Sequence, residues 1–480
     1  VRALAWPQPP RPPPARAEAA VRGEGRLSFP RGGAAPGWSG GVRGVALLSA
    51  RSALRSWLVR GAALLLIVTP LVLGLTVSGD MSPTGRLRAF LSLSTSFAGF
   101  VLALTAVFLP TRLALDLGAG RLTQTVTGPL PRPALVLGWW LGTSLVLALL
   151  VCAGYAAIGA GSRISLAMLK PEAQAEARIV LRARRVSKVV PPDPEIFARA
   201  AQEQLIQIVR EGRLPAEVAP EEALERLTKG AELRSRSIPR GGKRGWVVED
   251  FAGGGDTVTL RFRFAAARAT TPLPGKEGVP LRLYVGGERG VETRGVYAPI
   301  QRHEVDFPAS QVPSEGTLRI GIQNLAGEDV TVILPPEGPE LLHPAGGLTG
   351  NLARAAWVEL SRLAFLAAVG VAGAAVLDAK LAALLVLFVL ALGYGQSFLS
   401  EALRPGLFGA IDAFVLALLR AVLWVLPDLG RAELSALLGG GELVPDAALR
   451  AGLLDVSVRG GLALGAGALG FRARELGAWR

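Results

Sequence analysis

The sequence predicts a polytopic α-helical membrane protein of about six transmembrane helices, with an inserted α+β extracytoplasmic domain made of a β-sandwich plus helices. Three observations lead there. Half of the 480 residues are hydrophobic and only 19% are charged, against about 25% in a soluble domain. Four stretches carry no charge at all: Gly61–Gly79, Ala89–Thr111, Pro133–Ser162 and Leu381–Ser400. Each matches the roughly 20 apolar residues that cross a bilayer. Between the third and fourth lies a long interval rich in charge, part of which alternates with a period of two.

Residues 1–42 open on a Pro-, Gly-, Ala- and Arg-rich tract containing PQPPRPPPAR. It cannot assemble a core, and a disordered basic tail is expected. Residues 43–60 set Arg43, Arg51, Arg55 and Arg60 among Leu, Ala and Trp57, the pattern of an amphipathic helix lying on a membrane surface. Residues 61–162 hold the first three spans. Residues 351–480 hold three more, two of them with charges. Glu359 and Arg362 stand three apart on the first turns of Ala355–Leu377, and Asp455 and Arg459 stand four apart at the start of Ala451–Phe471. Both spacings permit pairing on one helix face. An unpaired charge at a helix centre costs about 2.5–3.5 kcal/mol, so all four residues are candidate functional positions. Their place near the outer helix ends favours anchoring or pairing over a substrate role. A further apolar segment near 407–426, interrupted by Asp412 and Arg420, reads as interfacial or re-entrant.

Within 163–350, the expected helices fall at 190–235. In IFARAAQEQLIQIVR, Phe197, Ala201, Leu205 and Ile208 share a face, and Asp193-Pro194 makes a start signal. The sandwich is expected over 245–340. Val258, Leu260, Phe262 and Phe264 alternate with Thr257, Thr259, Arg261 and Arg263, the pattern of a strand with one wet face. Other strands are expected at 246–251, 280–286, 292–297, 302–307, 317–323 and 329–334. His303, Glu304 and Asp306 form a weak metal pattern, because neighbours on a strand point to opposite faces; a solvated polar strand is the expectation. Glu221, Glu222 and Glu225 are expected on a solvated helix face.

The formal charge is +14, which by itself suggests a polyanionic partner. Its distribution argues otherwise. Residues 1–60 carry +8, and with the 111–134 loop and the 472–480 tail one side of a six-span topology sums to +12. The 163–350 domain holds 26 basic and 24 acidic residues. Basic residues accumulate on the cytoplasmic side. The surplus is therefore a topology signal rather than a nucleic-acid footprint, and both termini are expected in the cytoplasm. The richness in Arg, Ala, Gly, Leu and Pro suggests a GC-rich bacterial genome, hence a bacterial cytoplasmic (inner) membrane. The single cysteine, Cys152, excludes an intrachain disulfide.

The loop 112–132 carries most of the functional reading. Asp116, Gly120, Leu122, Pro129, Arg132, Leu137 and Gly138 stand in an acid–Gly–Pro-x-x-Arg–Leu-Gly register. A short helix is expected around 113–126, ended by Gly128 and Pro129. The segment resembles the cytoplasmic loop of type-two ATP-binding-cassette (ABC) export permeases. It departs from that pattern at Arg121, Thr123 and Trp139. An amphipathic helix before the first span, six spans and a basic aromatic tail are similar to the family as well. The resemblance implies a permease subunit that forms a homodimer or pairs with a related permease. It also implies a coupling helix that docks on a separate ATPase, with Arg112, Asp116, Gly120, Arg121, Pro129 and Arg132 as docking positions. ATP and Mg would be bound by that partner. Gly242-Lys243 and Gly275-Lys276 are followed by Arg244 and Glu277, so the phosphate-loop pattern ending in Lys-Ser or Lys-Thr is not met. The chain itself is expected to be no enzyme and to hold no cofactor or metal. The alternative reading is a polytopic anchor for a carbohydrate- or envelope-binding sandwich without transport activity.

Overall fold

The computed structural model describes residues 38–79, 82–119, 131–190, 192–215, 218–252, 257–268, 271–272, 278–286, 290–312, 315–327, 330–402, 413–430 and 433–473. The expected disordered tail lies almost wholly outside them. Among the described residues, six helical segments are long and apolar enough to cross a membrane. They come as three before a β-sheet region and three after it.

Helix α1 (Trp38–Leu54) buries Gly41, Val45, Ser49, Ala50 and Ala53 along one stripe. The expected helix over 43–60 is in fact two. The chain breaks at Arg55-Ser56, where Ser56 is extended, and α2 (Trp57–Thr76) begins the first long span. The Arg60 side chain reaches back to the Arg55 carbonyl and satisfies part of that break. Helix α3 (Pro83–Phe108) starts on a Ser82 cap whose hydroxyl accepts from the Gly85 N–H at 2.9 Å. A short helix α4 (Arg112–Gly118) follows, then α5 (Arg132–Ala167) and the short helix α6 (Pro171–Ala177).

After the sheet region comes α9 (Leu348–Val376), numbered after the two sheet-region helices described below. Then follow α10 (Ala379–Ala402), α11 (Ala413–Val425), α12 (Leu434–Gly439), α13 (Asp446–Leu454), a π turn over Asp455–Gly460, and α14 (Gly461–Ala473). Helix α9 is the axis of the helical body: 83% of its apolar window is buried, against 22% for α10. It starts seven residues before the expected Ala355 because Asn351 and Arg354 find partners there. Helix α11 covers the later part of the expected 407–426 segment; 407–412 lie outside the described residues. Leu426, Leu429, Leu434, Leu438 and Val444 enter the same apolar cluster as α3, α5 and α9. Residues 426–429 and 434–444 thus pack back into the helical body.

The sheet region contains β1 (Arg182–Lys188), α7 (Pro194–Arg210), α8 (Pro220–Arg236), β2 (Ser237–Ile238), β3 (Lys243–Ala252), β4 (Thr257–Arg263), β5 (Ala265–Arg268), β6 (Thr271–Pro272), β7 (Val279–Val285), β8 (Val291–Tyr297), β9 (Arg302–Pro308), β10 (Glu315–Asn324), β11 (Val330–Ile333) and β12 (Glu340–Gly347). Among the described residues these make three four-stranded sheets, ordered β1-β12-β4-β9, β3-β10-β7-β8 and β2-β11-β5-β6, with every pairing antiparallel. Val258 and Leu260 from the first, Leu283 and Ile320 from the second, and Val332 and Ala266 from the third share one core. Helix α7 starts on Asp193, whose carboxylate accepts from the Glu195 N–H at 3.0 Å. Glu222 and Glu225 pair along α8 with Arg226 at 2.5 Å and Lys229 at 2.6 Å, all exposed.

One strand departs from expectation in a way that positions everything else. On the expected wet face of β4, Thr257 and Arg263 at the ends are exposed, but Thr259 and Arg261 between them are only 4% and 3% exposed. The expectation of a solvated polar strand at 302–307 fails for the same reason at Glu304. Both residues lie on the face that meets the helical body.

Candidate functional site

The junction between sheets and helices is built on charge. Glu304 accepts from Arg88 at the start of α3 at 2.8 Å and from Arg184 on β1 at 3.0 Å. Arg184 also donates to the Gly440 carbonyl at 2.9 Å. Arg261 donates to Glu340 at 2.6 Å and to Glu442 at 2.6 Å. The backbone joins in, since Arg184 N–H donates to Gly441 O at 2.9 Å and Leu443 N–H to Arg184 O at 2.8 Å. Gly441 sits at φ +65°, and a Cβ there would stand 2.9 Å from the Val180 carbonyl oxygen, so glycine is required. Asn351 on α9 donates to Glu442 O at 2.7 Å and accepts from Val444 N–H at 2.8 Å, and Arg354 pairs with Asp446. Segment 439–446 is thus a wedge held by both bodies. Burial pushes the Glu304 carboxyl up, but Arg184 and Arg88 outweigh it and hold it below the ordinary carboxylate range. Burial likewise opposes the charge on Arg261, and Glu442 and Glu340 outweigh that to keep it cationic. His303 is not a metal fragment: its ring packs against Phe262 and Tyr297, and its Nε2 lies 2.7 Å from the Ala298 carbonyl oxygen. Among the described residues no group of three or more His, Cys, Asp or Glu could hold a metal ion.

At the opposite end of the helical body sits α4. Pro110 ends α3, and the Thr111 hydroxyl donates to Phe108 O at 2.7 Å as the chain turns. Leu113 and Ala114 then bury into a cluster with Val45, Leu135, Trp139, Val371 and Phe471, while Leu115 stays 58% exposed. Arg112 donates to Ser52 O of α1 at 2.9 Å, and Asp116 is half-buried one turn on. Arg132 is spent on the fold: it donates to Arg472 O at 2.7 Å and stacks 6.0 Å from the Phe471 ring centre. It thereby caps the carbonyl end of α14, where a cation is worth about 0.3–1 kcal/mol. The described helix runs to Gly118, and residues 120–126 of the expected helix lie outside the described residues. Gly120, Arg121 and Pro129 lie outside the described residues.

Between the two ends runs a polar seam. Glu359 lies 3.8 Å from Arg362, and Arg459 pairs with Asp455, as their spacing predicts. Glu359 lies deeper than expected. Glu359 Oε1 is 3.9 Å from where a Cβ on Gly99 would stand, and Gly99 is near the middle of the uncharged run Ala89–Thr111. Glu359 is therefore at mid-height of the helical body, only 6% exposed, beyond the reach of snorkelling. Tyr155 and Tyr394 are within its electrostatic reach. A cavity of about 110 Å³ lined by Arg362, Asp455, Gly452 and Asp428 brings the two charged pairs together. Gly452 packs on Ser361, whose Cβ is 2.9 Å from its own Cβ position. Asp455 begins the π turn, a distortion frequent at functional sites. Asp428 is the member that sequence reading missed, since it stands in a connecting loop outside every span.

No protein-family model matches this chain, and no curated protein matches it either.

Proposed function

We propose that the chain is the membrane-spanning permease subunit of an ATP-driven ABC exporter, resident in a bacterial cytoplasmic membrane. The observation that carries this reading is α4, a short helix between the second and third long apolar helices. It is anchored by Leu113, Ala114 and Arg112, and it presents Leu115 outward at the end remote from the sheets. The loop that follows bears the Gly120–Arg132 register that resembles ABC export permeases. The helical body supplies the rest of the cycle: six spans enclose a polar seam at mid-height, and a partner ATPase closing on ATP would shift the population between its inward- and outward-open forms. A dimer with a second copy or a related permease would complete the path.

The test is deletion of 116–128, or Asp116→Ala, in the chain expressed in its native host. The unaltered chain should retain an ATPase polypeptide through detergent extraction, and the deletion should lose it along with ATP hydrolysis in the reconstituted complex. Unchanged association and unchanged hydrolysis would sink the permease reading. That outcome would leave the anchor reading, which the ion-paired junction favours because it fixes the sheet region rigidly to the helices.

A further inference from the structure

The face of the first sheet that docks on the helical body does not end at the junction. Past Glu304 and Arg261, the next cross-strand pair in register is Arg302 on β9 opposite Arg263 on β4. Like charges directly opposite on neighbouring strands repel and destabilise a sheet. Arg261 resolves its own charge with Glu340 and Glu442. Neither Arg263 nor Arg302 has a carboxylate within ion-pairing distance among the described residues. The two flank a cavity of about 380 Å³, which Arg261, Glu340, Glu337 and Ile300 also line. Burial and the neighbouring Arg261 work against the charge on Arg302 and outweigh the favourable pull of Glu442, Glu340 and Glu304, so an anion in the cavity would add to that pull.

The wall of the cavity carries a second oddity. Ile300, in the turn joining β8 to β9, is held at φ +71°. That is the third position of a Pro-x turn where glycine or asparagine is usual, and a β-branched residue there is a true outlier. Its N–H donates to Phe264 O at 2.7 Å, and the side chain is 66% exposed over the cavity. Such strain collects at ligand sites.

We infer that Arg263 and Arg302 form an anion site on the sheet region, for a singly charged phosphodiester group. The single charge follows from the cavity lining, where Arg261, Arg263 and Arg302 against Glu337 and Glu340 leave one positive charge. Planar, forked guanidinium groups suit phosphate oxygens. Because the site continues the helix-facing side of the sheet, a phospholipid headgroup and a soluble phosphodiester are both within its chemistry. The site stands on its own geometry and is independent of the permease reading.

The test uses the full-length chain in uncharged detergent, titrated calorimetrically with glycerophosphoglycerol, a soluble phosphodiester, and with glycerol as the neutral control. Binding should be seen for the first only. Arg263→Gln and Arg302→Gln should each weaken it at least tenfold without moving the melting temperature down, since each removes a like-charge contact. Glu337→Gln should tighten it severalfold. Lys243→Gln, on β3 and stacked over Tyr284, should change nothing. Reconstitution into nanodiscs separates the sources. Loss of the soluble ligand's binding in phosphatidylglycerol but not phosphatidylcholine discs assigns the site to lipid, and retention in both assigns it to a soluble ligand. No binding by the unaltered chain, or binding unaffected by both arginine variants, overturns the proposal.

Discussion

A carboxylate on an alternating strand is ordinarily a solvent contact, and Glu304 shows what changes when that strand faces another body. Its side chain is 17% exposed and lies between the guanidinium groups of Arg88 and Arg184. Arg184 is itself 2% exposed and cannot be rehydrated without opening the junction. Removing one partner of such a group leaves a buried charge uncompensated, at about 3–5 kcal/mol. The pH dependence follows from the same contacts. A carboxyl held below its unfolded value, near 4.3 for Glu, contributes stability that is fully present at neutral pH. That contribution is lost as pH falls through the folded-state value. Glu304→Gln should therefore lower the melting temperature at pH 7 and flatten the acid limb of the stability profile below about pH 4. An acid limb as steep as that of the unaltered chain would show that other groups carry it. None of this was legible from HEVDF alone, because alternation gives the face of a side chain and not what covers that face.

At the scale of elements, legibility tracked the strength of one-dimensional signals. Uncharged runs longer than a bilayer leave little choice but helix, and β4 and β7 show their period of two openly. Strand β1 reads RARRVSK, with Arg182, Arg184 and Arg185 among its first four residues. It is a strand because β12 pairs with it and because its buried Arg184 is paired with Glu304, which only the fold supplies. Strand β12, ELLHPAGG, carries Pro344 and two glycines that read as breakers. Close helix contacts were written in glycine, as in Gly138-Trp139-Trp140-Leu141-Gly142 on α5. There a Cβ at Gly142 would stand 1.8 Å from Ser49 Oγ and 2.4 Å from Ala46 O, and one at Gly138 2.6 Å from Val45 Cβ. Small residues let helix backbones approach where lipid offers no hydrophobic drive. Gly142→Leu should thus lift α1 from α5 while leaving the six long helices folded. In a Cys152→Ala background, Ser49→Cys should react with a thiol reagent in detergent far faster when Gly142→Leu is present. Equal rates would mean that α1 is held elsewhere.

At the scale of the whole molecule, connectivity and charge make one joint claim. Among the described residues three long helices precede the sheet region and three follow it, and β12 runs into α9 with no linker, Gly347 preceding Leu348. The start of α5 and the end of α14 meet where Arg132 caps Phe471 and Arg472. One end of the helical body therefore gathers α1, α4 and the α14 terminus, and the other end carries the sheets. Segments 1–60, 111–134 and 472–480, whose described residues lie at the first end, hold +12 of the +14 formal charge. If basic residues mark the cytoplasmic face, α4 meets the cytoplasm and the anion site meets the outside. Two single-cysteine chains separate this from the inverse arrangement, both with Cys152→Ala. Gln202→Cys lies on the exposed side of α7, and Ala119→Cys lies at the exposed end of α4. In intact spheroplasts a membrane-impermeant maleimide should label the first and spare the second until the membrane is permeabilised. The reverse pattern would place the sheets in the cytoplasm. It would put α4 out of reach of any ATPase, and the basic surplus would then need another cause than topology.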